Sequence, residues 1–308
     1  MRICAIVNPA AGRGRVQRLW PDLQDRLREA TSELSVCTTT APGDATTLTR
    51  TALVNGYDRI VAVGGDGTLH EVVNGYFEPE GTAITPAPPL VPLACGTGTD
   101  FIRGVGAHTG LDAVAQLRSS HVQPVDLLRI TYTTEEGKEA HRYAVNVTSF
   151  GLSSSVVRSV NRGGLSLPGP TLRYFGAILR ALARHRPFPV DLTVDGTPVE
   201  AERIRVVAIA NGPFFGAGIR IAPNAKIDDG LLDVTVLHDL AVPTLLRHAR
   251  RFYNGTHPVL DGVTTTQGRR ITARPHTDAP VWLEADGEML GQLPAAIEVV
   301  PKAIQIQY

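Results

Sequence analysis

The sequence predicts a two-part α/β protein. An N-terminal domain with an open, mostly parallel sheet covers about residues 1–125, and a β-rich antiparallel sandwich covers about 126–295. The segment from about 296 to 308 is a candidate strand returning to the first domain. Three observations carry this. Strand-like and helix-like segments alternate over the first 125 residues, as parallel βα units require. From Asp126 onward the texture changes to short β-rich runs punctuated by Gly, Asp and Pro, as in an antiparallel sandwich. No flexible linker separates the two textures, so the parts are expected to pack closely.

In the first part, "RICAIVN" (Arg2–Asn8) is an apolar run ending in Asn-Pro, which forces a turn. Val16, Leu19, Leu23 and Leu27 recur at helical spacing, with Pro21 marking a kink or a late start. "LSVCTT" is a second strand. "GDATTLTRTALVNG" is a helix, capped by Asp44 and stopped by Gly56. "RIVAV" is a third strand, "TLHEVVNGYF" a helix, "PLVPLA" a fourth strand, and "GLDAVAQLRSS" a further helix after the glycine-rich "GTGTDFIRG". In the second part, strands are expected at "VDLLRITYT", "RYAVNVTSFG", "VDLTVDGTPVEA", "RIRVVAIANG", "LLDVTVLH", "RRITARP", "PVWLEADGEML" and "AIEVVP". Helices are expected near 171–185 and 241–254. No internal repeat is visible.

Bulk properties narrow the function. Lys+Arg and Asp+Glu both total 30, so the chain has no net charge and no global footprint for nucleic acid. Its three cysteines, Cys4, Cys37 and Cys95, form no CxxC pair, a pattern that fits a reducing compartment. The first residues read as a strand rather than a signal peptide, and no apolar run reaches membrane-spanning length. The expected location is cytoplasmic, with peripheral membrane contact left open.

The chemistry is expected in glycine-rich turns. Gly64–Thr68 and Gly96–Thr99 follow apparent parallel strands, and "NPAAGRG" (Asn8–Gly14) follows the first. In an open α/β sheet such turns line the ligand-binding edge. Gly64, Gly65 and Gly67 would let backbone approach phosphate oxygens, and the helix after Thr68 would offer amides and a positive dipole end. Arg13 and Arg15 are candidate positive charges, because the chain's three lysines (Lys138, Lys226 and Lys302) follow no phosphate loop. Asp66 reads either as a partner in a magnesium network or as an acceptor that orders the loop. A single GGDG is also compatible with an ordinary turn. Walker A, G-x-G-x-x-G, H-E-x-x-H and G-x-S-x-G patterns are absent.

Taken in order, "NPAAG", "GGDGTLHEVVNG", "GTGTDFIRG", "APNAKIDDGLLDV" and "EADGE" resemble the diacylglycerol-kinase catalytic family, and in particular its soluble bacterial members, which are similar to sphingosine and ceramide kinases. The resemblance covers nearly the whole chain. It implies a fold of the NAD kinase and diacylglycerol kinase type, with ATP in an interdomain cleft and a diacylglycerol-like lipid held by the β-rich domain. Cofactors implied are ATP and Mg²⁺. The resemblance places Asn8, Ala10, Ala11, Gly12, Arg13, Gly14 and Thr39 near the nucleotide. It places Gly64, Gly65, Asp66, Gly67, Thr68, Leu69 and Glu71 around the phosphates, and Thr97 at the nucleotide. Asp66, Asp100 and Asp126 would join a magnesium network, and a second magnesium would use Asp229 and the carbonyls of Lys226 and Leu231. Glu288 would accept the hydroxyl proton, assisted by Asp286. Thr99 and His70 depart from the family pattern, which usually has asparagine at both positions.

From the residues alone, Glu284, Asp286 and Glu288 fall at period two. An extended strand would point all three one way, with Val281, Leu283 and Ala285 opposite. An exposed acidic strand with an Asp-Gly turn fits the same spacing, and nothing in the resemblance gives Glu284 a role. "TLRYFGAILRALARHR" (Thr171–Arg186) separates apolar from basic residues at helical spacing. That pattern suits packing on a sheet and also transient contact with a membrane surface. The leading expectation is a lipid kinase. NAD kinase and a non-catalytic lipid- or nucleotide-binding protein are the alternatives. No nucleic-acid partner is expected, and a homodimer is left open.

Overall fold

In the computed structural model, which describes residues 1–96, 99–161, 180–182, 186–276 and 279–308, the chain divides into two units. The first comprises Met1–Leu127 with Pro301–Tyr308, and the second Leu128–Val300.

The first unit alternates strand and helix: β1 (Arg2–Val7), α1 (Ala11–Ala30), β2 (Glu33–Thr38), α2 (Asp44–Val54), β3 (Arg59–Gly64), α3 (Asp66–Asn74), β4 (Leu90–Ala94) and α4 (Asp100–Val105). A 3₁₀ helix, Gly110–Arg118, precedes β5 (Val122–Thr133). β1 lies between β2 and β3, β3 pairs with β4, and all three pairings are parallel. The end of the long β15 (Glu288–Gln307) adds beside β4, with Ile306 opposite Leu90. The strand order is therefore β2-β1-β3-β4-β15. Nearly every residue of β1, β3 and β4 is buried, because a parallel sheet is covered on both faces. Ile3, Ala5, Val7, Val61 and Val63 pack with Val16, Leu23 and Leu27 of α1 and with residues of the 3₁₀ helix.

The second unit is antiparallel and β-rich. It contains β6 (Glu139–Ala144), β7 (Val147–Gly151), α5 (Leu152–Asn161), β8 (Val190–Val194), β9 (Thr197–Val199), β10 (Ile204–Ala210) and β11 (Leu232–His238). The short helices α6 (Val242–Arg247) and α7 (Ala249–Asn254) precede β12 (Val263–Gly268), β13 (Arg270–Pro275) and β14 (Trp282–Ala285). One run is ordered β12-β11-β10-β7-β14-β15, and β13 joins β15 to the β8–β9 hairpin. Its core includes Leu128, Phe150, Val207, Ile209, Val234, Leu283 and Ile297.

Several local expectations need correction. α1 runs through Pro21, and its irregularity lies at Gly12, Arg13 and Gly14, all left-handed with φ of 61°, 60° and 76°. Asp44 does not cap α2. Its carboxylate accepts from the amides of Thr40 and Ala41 and so orders the preceding turn. "RYAVNVTSFG" is two strands, because the amides of Val145–Val147 turn to a side-chain acceptor described below. The 241–254 helix is broken at His248 (φ −101°, ψ 9°). "VTTTQG" forms β12, a strand without large apolar residues that, among the described residues, pairs only with β11. The expected 171–185 helix lies outside the described residues, apart from 180–182. Among the described residues, no helix is long and apolar enough to cross a membrane.

Candidate functional site

The order β2-β1-β3-β4 reverses direction at β1/β3: α1 leads from β1 to one neighbour, and α2 leads back past it to the other. Crevices at such switch points, outside the carboxyl ends of the strands, are where open α/β sheets bind ligands. The turns after β1 and β3 are Asn8–Gly14 and Gly64–Thr68. The Asn8 side chain joins them: Nδ2 donates to Thr68 Oγ1 at 3.1 Å, and Oδ1 accepts from the Ala10 amide at 3.1 Å. The amides of Cys95 and Gly96 donate to the Gly64 carbonyl at 2.8 and 2.9 Å, which brings in the turn after β4.

The approach is too tight for side chains. A Cβ on Gly96 would sit 2.7 Å from the Gly65 Cα, and one on Gly64 would sit 2.2 Å from Thr68 Oγ1. Arg13 holds a left-handed conformation without being glycine, which costs on the order of 1 kcal/mol or more. Such strain clusters where backbone is arranged for a ligand. The Arg13 and Arg15 side chains are exposed.

Asp66 opens α3, and its Oδ2 accepts the Asp100 amide, which opens α4, at 3.2 Å. The acid among the glycines thus ties the second glycine loop to the third. Asp126 is fully buried and accepts the Lys302 amide at 2.6 Å. Among the described residues, no three acidic, histidine or cysteine side chains gather as a metal-binding group. Asp66 and Asp100 are adjacent, and Mg²⁺ that shares phosphate ligands needs only one or two carboxylates, so this pair fits that demand.

Glu71 turns away from the loop. Its two carboxylate oxygens accept the amides of Gly43 and Ala45 at 2.9 and 3.1 Å, capping α2. Leu69 is in the core, with its amide bonded to the Gly65 carbonyl. The Thr39 amide donates to the Val7 carbonyl, beside the end of β1. Thr97 lies outside the described residues.

In the second unit, residues 284–288 are not one extended strand. β14 ends at Ala285, Asp286 and Gly287 form a turn with φ of 50° and 86°, and β15 begins at Glu288. The three carboxylates therefore meet different surroundings. Asp286 accepts three backbone amides, from Val145 at 3.0 Å and from Asn146 and Val147 at 3.1 Å each. Glu288 is exposed. Glu284 is only 3% exposed and accepts from the Ser149 hydroxyl and, at 3.1 Å, from the Gly287 amide. Burial pushes its carboxyl up to about 8. The Ser149 and Gly287 donors oppose that rise, and the charges of Asp286 and Glu288 add to it. Sequence reasoning left Glu284 without a role. Its one signal was an acid placed between Leu283 and Ala285 in an otherwise apolar run.

Asp229 is exposed, and its carboxylate accepts the Leu231 amide at 3.0 Å, so it orders the turn around Gly230 (φ 74°). Asp233 nearby is raised by burial, with the Gln267 bond opposing and the Asp229 charge reinforcing. Lys226 is exposed.

The second unit also holds an apolar cavity of about 130 Å³ between α5, β10, β11 and the α6–α7 pair. Leu152, Val156, Val206, Leu237, Leu245 and Phe252 line it. Leu246 and Tyr253, also on its wall, are 43% and 38% exposed. Besides Tyr253, two hydroxyl-bearing side chains are on the wall. Thr235 donates to the Ile221 carbonyl, and Ser153 is bonded to Ser149 at 2.8 Å.

The chain thus combines a parallel α/β unit that has glycine turns at its switch point with a β-rich unit that has an apolar cavity. Comparison with known proteins makes this specific. Residues 2–130 match the diacylglycerol kinase catalytic domain, and residues 146–308 match the YegS C-terminal NAD kinase beta sandwich-like domain. A diacylglycerol kinase of Mycobacterium tuberculosis is 30% identical over 99% of this chain and 94% of its own. The chain belongs to the diacylglycerol kinase family of lipid kinases. A solved diacylglycerol kinase from Bacillus anthracis has the same fold, with a TM-score of 0.71 at 23% identity over 100% of this chain and 96% of that one. The yeast NADH kinase structure is more distant, with a TM-score of 0.50 at 13% identity over 99% of this chain and 82% of that one.

Proposed function

We propose that the protein transfers the γ-phosphoryl group of ATP to a hydroxyl of diacylglycerol or a related lipid. The observation that carries this reading is the convergence of the turns at 8–14, 64–68 and 95–96, with no room for side chains where the backbones meet. In phosphoryl transfer the protein mainly positions reactants and stabilises charge. The backbone amides of Gly12 and Arg13 and those at 65–68, with the N-terminus of α3, would hold the polyphosphate without a lysine. Asp66 and Asp100 would hold Mg²⁺, which supplies neutralisation of charge on the transferred group. Glu288 would receive the proton of the attacking hydroxyl. Asp286 assists by fixing the turn that carries Glu288, since its own oxygens are taken by three amides. The acyl chain would enter the apolar cavity of the second unit.

The test is purified protein with labelled ATP and Mg²⁺, offered a lipid panel and NAD in parallel. Label in the organic phase is expected, and label on NAD instead would overturn the reading. Glu288→Gln should abolish transfer while leaving ATP affinity unchanged. Retained activity in that variant would remove Glu288 from the mechanism.

A further inference from the structure

A chain of three polar side chains runs from the cavity wall to the turn at Asp286. Ser153 lines the cavity and bonds Ser149 at 2.8 Å, and Ser149 bonds Glu284 Oε1. The other carboxyl oxygen, Oε2, accepts the Gly287 amide. Ser149, Ser153 and Glu284 are 0%, 6% and 3% exposed, so water does not compete for these bonds.

Each hydroxyl has one proton, and this fixes the direction of the chain. An ionised Glu284 can only accept. Ser149 must then donate to it and accept from Ser153, which leaves Ser153 with lone pairs alone toward the cavity. A protonated Glu284 can donate to Ser149, Ser149 then donates to Ser153, and the Ser153 proton is released to the cavity. We propose that Glu284 is a positioning residue that, through Ser149, decides whether Ser153 offers a proton to an ester or ether oxygen on a lipid chain in the cavity.

The surroundings make the switch accessible. β7 contributes no titratable side chain against Glu284. β15 contributes Glu288, the turn contributes Asp286, and the only charged residue of α5, Arg158, lies over the Trp282 ring at 4.8 Å. Both acids oppose ionisation of Glu284. The cavity suits an apolar guest: engineered cavities of about 150 Å³ with similar linings stay dry and bind benzene. A partly inserted chain would carry its first oxygen at the wall, where Ser153 is tied through Ser149 to Glu284. The inference rests on the lipid reading of the cavity, but its consequence can be measured without ATP or turnover.

The probe pair is methyl octanoate, whose ester accepts a hydrogen bond, and nonane, which cannot. Binding is read by displacement of the neutral dye N-phenyl-1-naphthylamine from the full-length protein at pH 6 and pH 9.5. One additional hydrogen bond predicts roughly fivefold tighter binding of the ester at pH 6, falling to parity at pH 9.5. In Glu284→Gln the amide nitrogen donates to Ser149 and the amide oxygen accepts from Gly287, so the ester preference should persist at both pH values. Ser153→Ala should show no preference at either. A preference in the unaltered protein that ignores pH, one that declines equally in Glu284→Gln, or failure of the probes to bind would overturn the inference. Each of those results leaves the lipid-kinase reading to its own assay, and a failure of lipid phosphorylation leaves this measurement intact.

Discussion

Substituting Asp286 by alanine removes the acceptor from three backbone amides at once. Val145, Asn146 and Val147 all donate to its carboxylate at 3.0–3.1 Å, where the chain passes between β6 and β7. An orphaned buried donor costs about 1–3 kcal/mol. Asp286 is half-buried, so water would re-satisfy part of the set. The expected loss is therefore about 3–5 kcal/mol, below the full sum for three orphans. Asparagine keeps one acceptor oxygen but turns an NH₂ group toward the same amides, so it should rescue only part of the loss. The chain has two tryptophans, Trp20 in α1 and Trp282 in β14. In a Trp20→Phe background, urea denaturation followed by tryptophan fluorescence reports on the second unit alone. An Asp286→Ala variant that loses phosphoryl transfer yet unfolds within about 1 kcal/mol of its parent would refute the reasoning. Asp286 would then act on the reactants rather than through the turn.

Two further outcomes follow from buried groups in each unit. Glu284 binds its proton more tightly folded, with a pKa of about 8 against 4.5 for the free side chain. The stability this gives is full below pH 4.5 and drains away up to about pH 8, at about 1.4 kcal/mol per pH unit and on the order of 5 kcal/mol in total. The difference between the parent and Glu284→Gln in urea should follow that slope, and parallel pH curves would contradict it. Gly64→Ala puts a Cβ 2.2 Å from Thr68 Oγ1, in the first turn of α3. The forced shift should cost about 1–3 kcal/mol, lower the midpoint seen by Trp20, and weaken ATP binding. Unchanged melting and nucleotide affinity would show that the turn has slack it does not display.

What could be read from the sequence was set by periodicity and glycine chemistry. Continuous apolar runs such as "RIVAV" marked strands covered on both faces, and alternation with helices implied the parallel sheet. Gly64 of "GGDG" and Gly96 of "GTG" marked close backbone approach, because a Cβ at either would collide with its neighbours. Long-range side-chain bonds left no such trace. Glu71 sits in the glycine-loop motif, yet its oxygens cap α2, whose amides are 26 and 28 residues earlier. The period-two reading of Glu284, Asp286 and Glu288 assumed an extended backbone, and the Asp-Gly pair broke it with two positive φ angles. The result is three acids with three environments: one sealed against hydroxyls, one clamped by amides and one exposed. The break in "RYAVNVTSFG" followed from the same turn, since the strand's amides had a carboxylate to meet about 140 residues away.

The return of residues 301–308 to the first unit has a consequence for synthesis. Ile306 pairs with Leu90, and the Gln307 side chain donates to the carbonyls of Gln116, Leu117 and Ser119. Until those residues leave the ribosome, the β4 edge lacks this strand and those carbonyls lack the Gln307 donor, although the Gln116 carbonyl also accepts the Ser119 amide. At about 5–20 residues per second, the wait from Leu127 to Pro301 is on the order of 10–35 s. Nascent chains halted near residue 250 should therefore leave the first unit open to protease, while chains extended past Tyr308 resist it. Equal resistance in both would mean that β2-β1-β3-β4 closes alone. The first unit is translated first and completed last.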